Sequence, residues 1–562
     1  MNGAEALVKA LKMEGVDVIF GISGGAALPI YDALAAPDLG ITHILVRHEQ
    51  AAAHMAEGYA KTSGKVGVCL ATSGPGATNL VTGIADAILD SVPIVAITGQ
   101  VPTTSIGTDA FQESDIMGIT MPIVKHSYQA RHPNEVARMV REAFHLARTG
   151  RPGPVLIDMP RDVSQGEVTA FDFPQEVKIR GYHPEINPDL SSVAEAVALI
   201  DQAKKPVLYA GGGVVATDAH EELRALAEKA DIPVTTTLMG RGAIDDAHPL
   251  ALNMLGMHGT AYANWAVRDA DLLIAVGVRF DDRVTGNLAK FAKNAKIIHV
   301  EIDPAEVHKN RIADVAIHAD AKLALQQLHD RCAPQKHEEW RRQIAMWKEE
   351  QPLFYEKSDK LKPQFIMEEI ATLTDGQAIL ATDVGQHQMW AAQFYPFRRP
   401  RQWLTSGGLG TMGYGLPAAL GAKYAQPEQD VWLVTGDGSF QMNLQELATS
   451  RIYNLPVRIA LFNNGSLGMV RQWQTLFYEE RYSGIDLKTV PNFAKLAEAY
   501  DCVGITVTTP EEVRPALEKA MDVTDRTVLI DFQHDPDEHV YPMIPSGQSV
   551  EEMRLQPGKR SL

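Results

Sequence analysis

Two polar segments, each placed directly after an apolar run, have the residue types of a metal and phosphate site. The turn GDG at 436–438 follows the run 431–434, and Asn464 closes the run that begins at Ile459. Short apolar runs of this kind predict buried parallel strands, and open α/β sheets bind ligands at the carboxyl ends of their strands. Asp437 and Asn464 would then offer one carboxylate and one amide oxygen, ligands that Mg²⁺ accepts beside the phosphates of a bound molecule.

One acidic residue and two glycine-rich turns also follow apolar runs. Glu49 begins a helical pattern, where the helix macrodipole alone would favour an acid. The turn SGPGATN at 73–79 is ordinary for a Gly-Pro pair and requires no function by itself. The segment GLGTMG at 408–413 formally matches a dinucleotide fingerprint. We reject that interpretation, because no acidic residue closes a strand about twenty residues further on.

Apolar runs that alternate with helical patterns predict how these residues are positioned. They recur in three successive stretches, which predicts an α/β fold of three domains with mostly parallel sheets. The expected domains are 1–165, 190–331 and 363–540, followed by a C-terminal tail at 541–562. The expected strands are 44–46, 66–71, 94–98, 155–157, 207–209, 234–237, 272–276, 297–300, 431–434 and 459–462.

Several connections can be predicted as well. Residues 163–191 are polar and contain three prolines, which indicates a linker. Trp340, Ile344 and Trp347 have helical spacing and predict a bridging helix. The apolar residues that begin at Phe440 predict one helix after the GDG turn. Three similar stretches in succession suggest a duplicated architecture.

The composition narrows the class of partner and the location. The 562 residues are enough for about three or four domains. A net charge of −18 argues against nucleic acid and against an anionic membrane surface. The three cysteines lie far apart, which predicts neither a disulfide framework nor a zinc site. The first residues lack the apolar core of a signal peptide, and no segment is apolar enough to span a bilayer, so we expect a cytoplasmic protein.

The GDG turn and the pair Asn463-Asn464, with 24 residues between them, resemble the signature of thiamine-diphosphate enzymes. A GDG alone is a weak signal, whereas the pair at this spacing is a strong one. Longer segments narrow the resemblance to the catalytic subunit of the acetohydroxyacid synthase family, and they cover nearly the whole chain. These segments are GTDAFQE at 107–113, MLGMHG at 254–259, RFDDRVTG at 279–286, DVGQHQMW at 383–390 and GMVRQWQ at 468–474.

The resemblance implies a set of cofactor residues. Asp437, Asn464 and the carbonyl of Ser466 would bind Mg²⁺, which holds the cofactor's diphosphate. Glu49 would hydrogen-bond the aminopyrimidine ring and activate the cofactor, with Gly25 and Gln112 as further catalytic residues. The residues expected to contact thiamine diphosphate are Pro75, Asn79, Gly385, Gln386, His387, Gly410, Met412, Gly436, Gly438 and Ser439.

The family also binds FAD in its middle domain, without a net redox role. The residues that match this pattern are Gly211, Gly212, Gly213, Thr237, Leu238, Met257, His258, Gly259, Arg279, Glu301, Ile302 and Asp320. Glycine-rich strand ends and an acid that closes a later strand are what a dinucleotide would use. Without the family, this stretch predicts only a nucleotide-like ligand or a vestigial fold.

The resemblance implies a substrate pocket and a reaction. Phe111, Arg161, Arg283 and Trp473 match the family's substrate residues; Arg283 suits a ketoacid carboxylate. Trp473 would prefer an ethyl over a methyl ketone, moderately, because one methylene is worth about 1–3 kcal/mol. The expected reaction decarboxylates pyruvate and joins the two-carbon unit to pyruvate or 2-ketobutyrate, the first common step of branched-chain amino-acid biosynthesis. In the family, the active sites lie between the subunits of a homodimer or a tetramer. Whether a small regulatory subunit also binds is left open by the sequence.

Two departures and two alternatives accompany this hypothesis. The family's PGG turn is Ser23-Gly24-Gly25 here, which loses the fixed φ of proline. The family's lysine after DxP is Arg161, which keeps the charge but not the point-like geometry.

Another thiamine-diphosphate enzyme, such as a pyruvate oxidase or a 2-ketoacid decarboxylase, would share the GDG and NN motifs. A non-catalytic nucleotide-binding or regulatory protein is the alternative from a different class.

Overall fold

Three α/β units follow one another along the chain, each built on a six-stranded parallel sheet. The computed structural model describes residues 1–36, 39–184, 186–487, 489, 491–556 and 559–560. Strands such as Ile94–Gln100 and Val431–Gly436 are buried along their whole length, as expected where helices cover both faces of a parallel sheet. The predicted fold class is confirmed, and each of the ten expected strands overlaps an observed one.

The N-terminal unit has the strand order β2-β1-β3-β4-β6-β5. Its strands are β1 Val18–Gly21, β2 Thr42–Leu45, β3 Gly67–Ala71, β4 Ile94–Gln100, β5 His126–Gln129 and β6 Val155–Pro160. Its helices are α1 Gly3–Met13, α2 Leu28–Leu34, α3 Glu49–Ser63, α4 Pro75–Asn79, α5 Val81–Leu89, α6 Ile116–Thr120, α7 Val136–Arg148 and α8 Arg161–Gln165, with 3-10 turns at Thr103–Ser105, Met121–Ile123 and Pro133–Glu135.

The central unit has the strand order β12-β11-β10-β7-β8-β9. Read from its other edge this is 3-2-1-4-5-6, the order of doubly wound dinucleotide-binding folds. Its strands are β7 Pro206–Ala210, β8 Val234–Thr236, β9 Ala251–Met254, β10 Leu272–Val276, β11 Lys296–Glu301 and β12 Val315–His318. Its helices are α9 Leu190–Gln202, α10 Gly212–Ala216, α11 His220–Lys229, α12 Ala261–Asp269, α13 Asp282–Thr285, α14 Ala321–Arg331 and α15 Glu338–Glu350.

The C-terminal unit has the strand order β14-β13-β15-β16-β18-β17, the same as the N-terminal unit when each is counted from its own first strand. Its strands are β13 Ile379–Thr382, β14 Trp403–Leu404, β15 Val431–Gly436, β16 Arg458–Asn463, β17 Val503–Val507 and β18 Val528–Gln533. Its helices are α16 Pro363–Thr374, α17 Gln386–Phe394, α18 Gly415–Ala425, α19 Asp437–Phe440, α20 Leu447–Ile452, α21 Gly468–Phe477, α22 Phe493–Ala499 and α23 Pro510–Asp522, with 3-10 turns at Leu444–Glu446 and Val550–Glu552. A short antiparallel pair, β19 Arg554–Gln556 and β20 Lys559–Arg560, lies in the tail.

The N-terminal and C-terminal units share one hydrophobic core. Helices α3 and α18 cross at its centre, where Gly58 and Gly421 face the other helix. A Cβ on Gly58 would lie 2.1 Å from the carbonyl oxygen of Ala418, and one on Gly421 2.1 Å from that of Met55. Only glycine permits so close an approach of two backbones. The two units are therefore closely packed against each other within one chain.

Three predicted connections were wrong in detail. The single helix expected after GDG is divided between α19, a 3-10 turn and α20, because the buried Asn443 leaves helical geometry and donates its side-chain amide to the Gly413 carbonyl at 2.7 Å. The expected linker is shorter than 163–191, since α8 buries Val163 and α9 begins at Leu190. Helix α15 packs on the central sheet rather than bridging two units.

Some expectations fall partly outside what can be described. Within the predicted tail, residues 557, 558, 561 and 562 lie outside the described residues, as does residue 185 of the predicted linker. In the described part of the chain, no helix combines the length and hydropathy needed to cross a membrane. The three cysteines are buried free thiols.

Candidate active site

An open cleft of about 490 Å³ lies where β13, β15 and β16 end in the C-terminal unit. Strand β15 is the middle one of the three, so the loops that follow them meet at one edge of the sheet. The residues of the predicted cofactor and metal set that line this cleft are Gly385, Gln386, His387, Met412, Gly436, Asp437, Gly438, Ser439, Asn464 and Ser466. The predicted residues thus line one cavity, and they come from four separate loops.

Asp437 has the electrostatics of a metal ligand. Its Oδ1 accepts a hydrogen bond from the Gly438 amide at 3.1 Å, whereas its buried Oδ2 makes no hydrogen bond within the described residues. Burial raises the pKa of the Asp437 carboxyl to about 7. A divalent cation would stabilise the charged carboxylate, because an opposite charge reverses the cost of desolvation.

Asn464 and Ser466 complete a set of hard oxygen atoms beside Asp437. The Asn464 side-chain amide donates to Gln386 Oε1 at 3.4 Å, and its Oδ1 accepts from the Ser466 amide at 3.0 Å. Carboxylate, amide and carbonyl oxygens are suitable ligands for a Mg²⁺ ion that also binds a diphosphate. Helix α19 begins at Asp437 but has only four residues, so its macrodipole adds little to anion binding.

Glu49 belongs to a second cluster, in the N-terminal unit. Helix α3 begins at Glu49, and the Asn79 side-chain amide donates to Glu49 Oε2 at 2.9 Å. Gly76 lies beside the other carboxylate oxygen, since a Cβ on it would be 3.4 Å from Oε1. The backbone of Gln112, which has a φ of 59°, packs against Gly74. The structure therefore gathers Glu49, the 74–79 turn and Gln112.

Two other members of the N-terminal set lie on nearby loops. Pro75 is the first residue of α4 and directly precedes Gly76. Gly25 is exposed, and its neighbour Gly24 packs on Thr72, just before the 73–79 turn. The Ser23-Gly24-Gly25 loop is thus placed beside the same turn.

One chain does not join these two clusters. The residues that line the cleft all lie between 384 and 534, so within the described chain Glu49, Pro75 and Gln112 contribute nothing to it. Glu49 is half-buried, and the Phe111 side chain beside Gln112 is 87% exposed. The N-terminal cluster therefore faces outward.

The four predicted substrate residues lie in three different units. Phe111 and Arg161 are exposed on the N-terminal unit. Arg283 lines a separate cleft of about 480 Å³ between the central unit and the tail, where its Nη1 is 3.5 Å from Ser546 Oγ. Trp473 lies on α21, with its ring centroid 5.3 Å from that of Phe477. A single chain does not assemble them.

The residues predicted to bind FAD follow the strands of the central sheet. Gly211, Gly212 and Gly213 follow β7; Thr237 and Leu238 follow β8; Met257, His258 and Gly259 follow β9; Arg279 follows β10; Glu301 and Ile302 close β11; and Asp320 follows β12. The Gly211 amide donates to the Val276 carbonyl at 2.9 Å, which places the glycines between β7 and β10. The strand order reverses there, at the position where such folds bind dinucleotides.

Two acidic members of this group are already engaged by the backbone. Glu301 Oε1 accepts hydrogen bonds from the amides of Ile302 and Asp303, and burial raises the pKa of the Glu301 carboxyl to about 7. Asp320 caps α14 through bonds from the amides of Lys322 and Leu323. Capping alone is a sufficient reason for an aspartate at that position.

Sequence reasoning missed the polar residues that act across the interface between the N-terminal and C-terminal units. Glu446 of the C-terminal unit accepts hydrogen bonds from the amides of Arg47 at 2.9 Å and His48 at 3.1 Å, directly before Glu49. Ser406 of the same unit donates to Asp86 of α5 at 2.8 Å. Neither contact has a sequence signal, because the partners lie hundreds of residues apart.

Glu446 is expected to give the protein a pH-dependent stability. Burial raises the pKa of Glu446 from 4.5 to about 7, so the folded state favours the protonated form. Stability from this group is fully present below pH 4.5 and is lost as the pH rises through 7, at most about 3 kcal/mol. E446Q lacks this titration. As the pH rises from 5 to 7.5, the thermal midpoint of E446Q should therefore rise relative to that of the wild type. A constant difference between the two proteins across that range would contradict the assignment.

Comparison with known proteins identifies the class. Three family models match in succession: the N-terminal TPP binding domain of thiamine pyrophosphate enzymes at 1–119, their central domain at 193–328 and their C-terminal TPP binding domain at 383–532. The cleft and the Glu49 cluster lie in the two units that match the TPP binding domains. The fold is that of a thiamine pyrophosphate enzyme.

Individual relatives are more specific. The chain is 52% identical to the acetolactate synthase large subunit of Corynebacterium glutamicum, over 100% of this chain and 91% of the relative. It is 51% identical to the acetolactate synthase of Mycobacterium bovis, over 100% and 93%. It is 47% identical to the acetolactate synthase isozyme 3 large subunit of Escherichia coli, over 100% of both chains. The chain belongs to the acetolactate synthase large-subunit family, which confirms the predicted resemblance.

Proposed function

We propose that this protein decarboxylates pyruvate and joins the two-carbon unit to a second 2-ketoacid, pyruvate or 2-ketobutyrate, at the head of branched-chain amino-acid biosynthesis. The observation that carries the proposal is the match to acetolactate synthase subunits along the full chain, at 47–52% identity. The cleft around Asp437 supports it independently of sequence identity, because it has the donors that a metal diphosphate requires.

The metal and cofactor residues are assigned from the cleft. Asp437, Asn464 and the carbonyl of Ser466 would hold Mg²⁺, and Gly385, Gln386 and His387 would surround the diphosphate. Burial lowers the pKa of His387 to about 3, so this residue is neutral there and donates without adding charge. Thiamine diphosphate supplies, when bound, a nucleophilic carbon and an acceptor for the electrons released by decarboxylation.

The remaining steps belong to the chain's own side chains. Glu49 would hold a proton against the aminopyrimidine ring, while Asn79 fixes the orientation of its carboxylate. Gly410, Met412 and Ser439 would shape the cofactor, and Gly25 and Gln112 would border the reacting carbon. Since few acids or bases lie in the cleft, orientation of the two ketoacids would supply much of the rate.

A complete site requires two copies of the chain. The cleft and the Glu49 cluster lie in different units, and the lining residues of the cleft come from one unit alone. A partner's N-terminal unit placed over the cleft would bring in Glu49, Pro75 and Gln112. We therefore propose a homodimer or a tetramer built from dimers, in the cytoplasm, with a regulatory small subunit as an additional partner. The domain boundaries at 165, 190, 331 and 363 belong to the same proposal.

The same assembly would gather the substrate residues. Arg283 would grip the ketoacid carboxylate, Phe111 and Trp473 would form apolar walls, and Arg161 would supply positive charge at the entrance. A guanidinium can bind a carboxylate through two parallel hydrogen bonds, which fits Arg283 to this role.

FAD is proposed as the ligand of the central unit. Its strand order and the glycines between β7 and β10 fit a dinucleotide, although Asp320 is also needed as a helix cap. The purified protein should show a flavin absorption spectrum in the visible range, and heat denaturation should release FAD. A colourless protein that takes up no FAD on incubation would contradict this assignment.

The reaction class is tested by incubating the purified protein with pyruvate, Mg²⁺ and thiamine diphosphate, with and without an electron acceptor. Acetolactate should form at the same rate in both cases, because the proposed reaction transfers no net electrons. Acetate that forms only with the acceptor would identify an oxidase, and acetaldehyde as the sole product would identify a decarboxylase. Protein that binds neither cofactor would favour a non-catalytic role.

A further inference from the structure

A loop of the C-terminal unit is held by aspartates of the N-terminal unit. Asp90 accepts hydrogen bonds from the amides of Gly407 at 3.1 Å and Gly408 at 2.7 Å, and its charge is balanced by Lys61 at 2.9 Å. Asp86 accepts the hydroxyl hydrogen of Ser406 at 2.8 Å. Ser406 and Asp86 are both buried, so this contact is shielded from water.

The Ser406 hydroxyl fixes the peptide group between Gly410 and Thr411. Its oxygen accepts hydrogen bonds from the amide of Gly410 at 3.0 Å and from the amide of Thr411 at 2.8 Å. A hydroxyl has one donor and two acceptor positions, and all three are used here. Because a trans peptide is planar, the direction of the Thr411 N–H sets the opposite direction of the Gly410 carbonyl. Ser406 therefore aims the carbonyl of Gly410, a residue that the proposed function places against the cofactor.

Elsewhere in the same interface, a side chain of the C-terminal unit holds a segment of the N-terminal unit. Glu446 of the C-terminal unit is buried and accepts the amides of Arg47 and His48, the two residues that precede Glu49. Its second oxygen accepts the Thr449 hydroxyl at 2.6 Å. The start of α3, and with it the backbone of Glu49, is thus fixed by a side chain nearly four hundred residues away.

We propose that Ser406, oriented by Asp86, and Glu446 are positioning residues of the active site. Each unit of one chain holds the cofactor segment of the other: the N-terminal unit orients the Gly410 carbonyl, and the C-terminal unit orients Glu49. This inference rests on the proposed function, because Gly410 and Glu49 receive their roles there. None of the three positioning residues lines the cleft, so they act through the segments that they hold.

Asp86 also belongs to a cluster of side chains that could be interpreted as a metal site. His54, Glu57 and Asp86 are buried with ligand atoms within 4.8 Å of one another. However, His54 Nδ1 already bonds to Glu57 at 2.8 Å, and the Lys61 ammonium interacts with both Glu57 and Asp86. A fixed positive charge at that place offsets the carboxylates and repels a cation. The cluster supports the interface rather than binding a metal.

The test measures how fast thiamine diphosphate, bound with saturating Mg²⁺, exchanges its thiazolium C2 proton with D₂O, followed by acid quench and NMR. Ser406→Ala removes the common acceptor of two amides, so the exchange should slow by about 10- to 100-fold, the scale of a catalytic group misplaced by about 1 Å. Ser406→Thr keeps the hydroxyl and should restore most of the rate. Tyr424→Phe is the matched control, because it also removes one hydroxyl that bonds across this interface, to the Asp17 carbonyl at 3.5 Å, away from the segments that carry Gly410 and Glu49; its exchange rate should stay unchanged.

Exchange in Ser406→Ala at the wild-type rate would overturn the role of Ser406. If that variant does not fold, Ser406→Cys keeps the volume with a far weaker hydrogen-bonding group and should show the same slowing; a wild-type rate there would overturn the role equally. The exchange requires no ketoacid. Wild-type protein that exchanges rapidly but forms no acetolactate would refute the proposed reaction and leave this inference standing.

Glu446 is tested by a matched pair of variants in the same assay. Glu446→Gln keeps an acceptor oxygen for the amides of Arg47 and His48 and should exchange near the wild-type rate. Glu446→Ala removes that oxygen and should slow exchange, while the affinity for Mg²⁺ at Asp437 stays unchanged, because Glu446 does not line the cleft. Equal exchange rates in the two variants would overturn the positioning role of Glu446.

Discussion

Replacing Glu49 with glutamine is expected to lower the rate of acetolactate formation by about 100- to 10,000-fold, the contribution of a well-placed proton-transfer group. Glutamine has the same shape and can still accept the Asn79 hydrogen bond, which is 2.9 Å long in the native protein. It cannot give and take a proton at the aminopyrimidine ring. The loss should appear in kcat with little change in the thermal midpoint, because Glu49 is half-buried and glutamine keeps the shape of its side chain.

Glu512→Gln provides the control for this experiment. Glu512 also stands in the first turn of a helix, where it forms the capping box of α23 with Thr509. The exchange of glutamate for glutamine is the same, but Glu512 is exposed and lines no part of the cleft. Its activity should equal that of the wild type, and wild-type turnover in Glu49→Gln would rule out Glu49 as the activating acid.

Replacing Asp437 with asparagine is expected to weaken the apparent affinity for Mg²⁺ and thiamine diphosphate by about 100-fold or more, since even residues behind a metal ligand contribute 10- to 100-fold. Asparagine keeps the shape of the side chain but removes the charge of the carboxylate, whose buried Oδ2 makes no hydrogen bond to any described residue. Activity should be lost at ordinary magnesium concentrations and partly recovered at high ones. The measurement is a titration of each cofactor with the other at saturation, followed by activity.

Asp375→Asn is the matched substitution in the same unit. Asp375 ends α16 in a left-handed conformation that asparagine also adopts readily. This variant should bind both cofactors normally. Normal cofactor affinity in Asp437→Asn would mean that the cleft is not the metal site and that the oxygens of Asp437 have another purpose.

The strands could be predicted from the sequence because burial on both faces leaves short apolar runs. The run at 272–276 coincides with β10, and those at 431–434 and 459–462 fall inside β15 and β16. The order of the strands could not be predicted, since periodicity says which residues are buried but not which strand is the neighbour. The shared order of the N-terminal and C-terminal sheets emerged only from the structure.

The candidate active site shows the same difference between what local sequence patterns predict and what only the tertiary structure reveals. Residues that follow a strand, such as Asp437 and Asn464, were predictable because parallel sheets align their carboxyl ends. The break after α19 was not, because Asn443 leaves the helix to reach the Gly413 carbonyl, 30 residues away. Ser406 with Asp86, 320 residues apart, and Glu446 with Arg47, 399 apart, are contacts of tertiary packing. No local pattern marks them.

The central claim is that this chain ligates two 2-ketoacids, and product analysis tests it most directly. Isotopically labelled pyruvate, supplied together with unlabelled 2-ketobutyrate and without an electron acceptor, should yield labelled carbon dioxide, labelled acetolactate and 2-aceto-2-hydroxybutyrate that carries the label only in its two-carbon unit. Glu49→Gln should yield none of these above background. Acetate or acetaldehyde as the only labelled organic product of the wild-type protein would contradict the account.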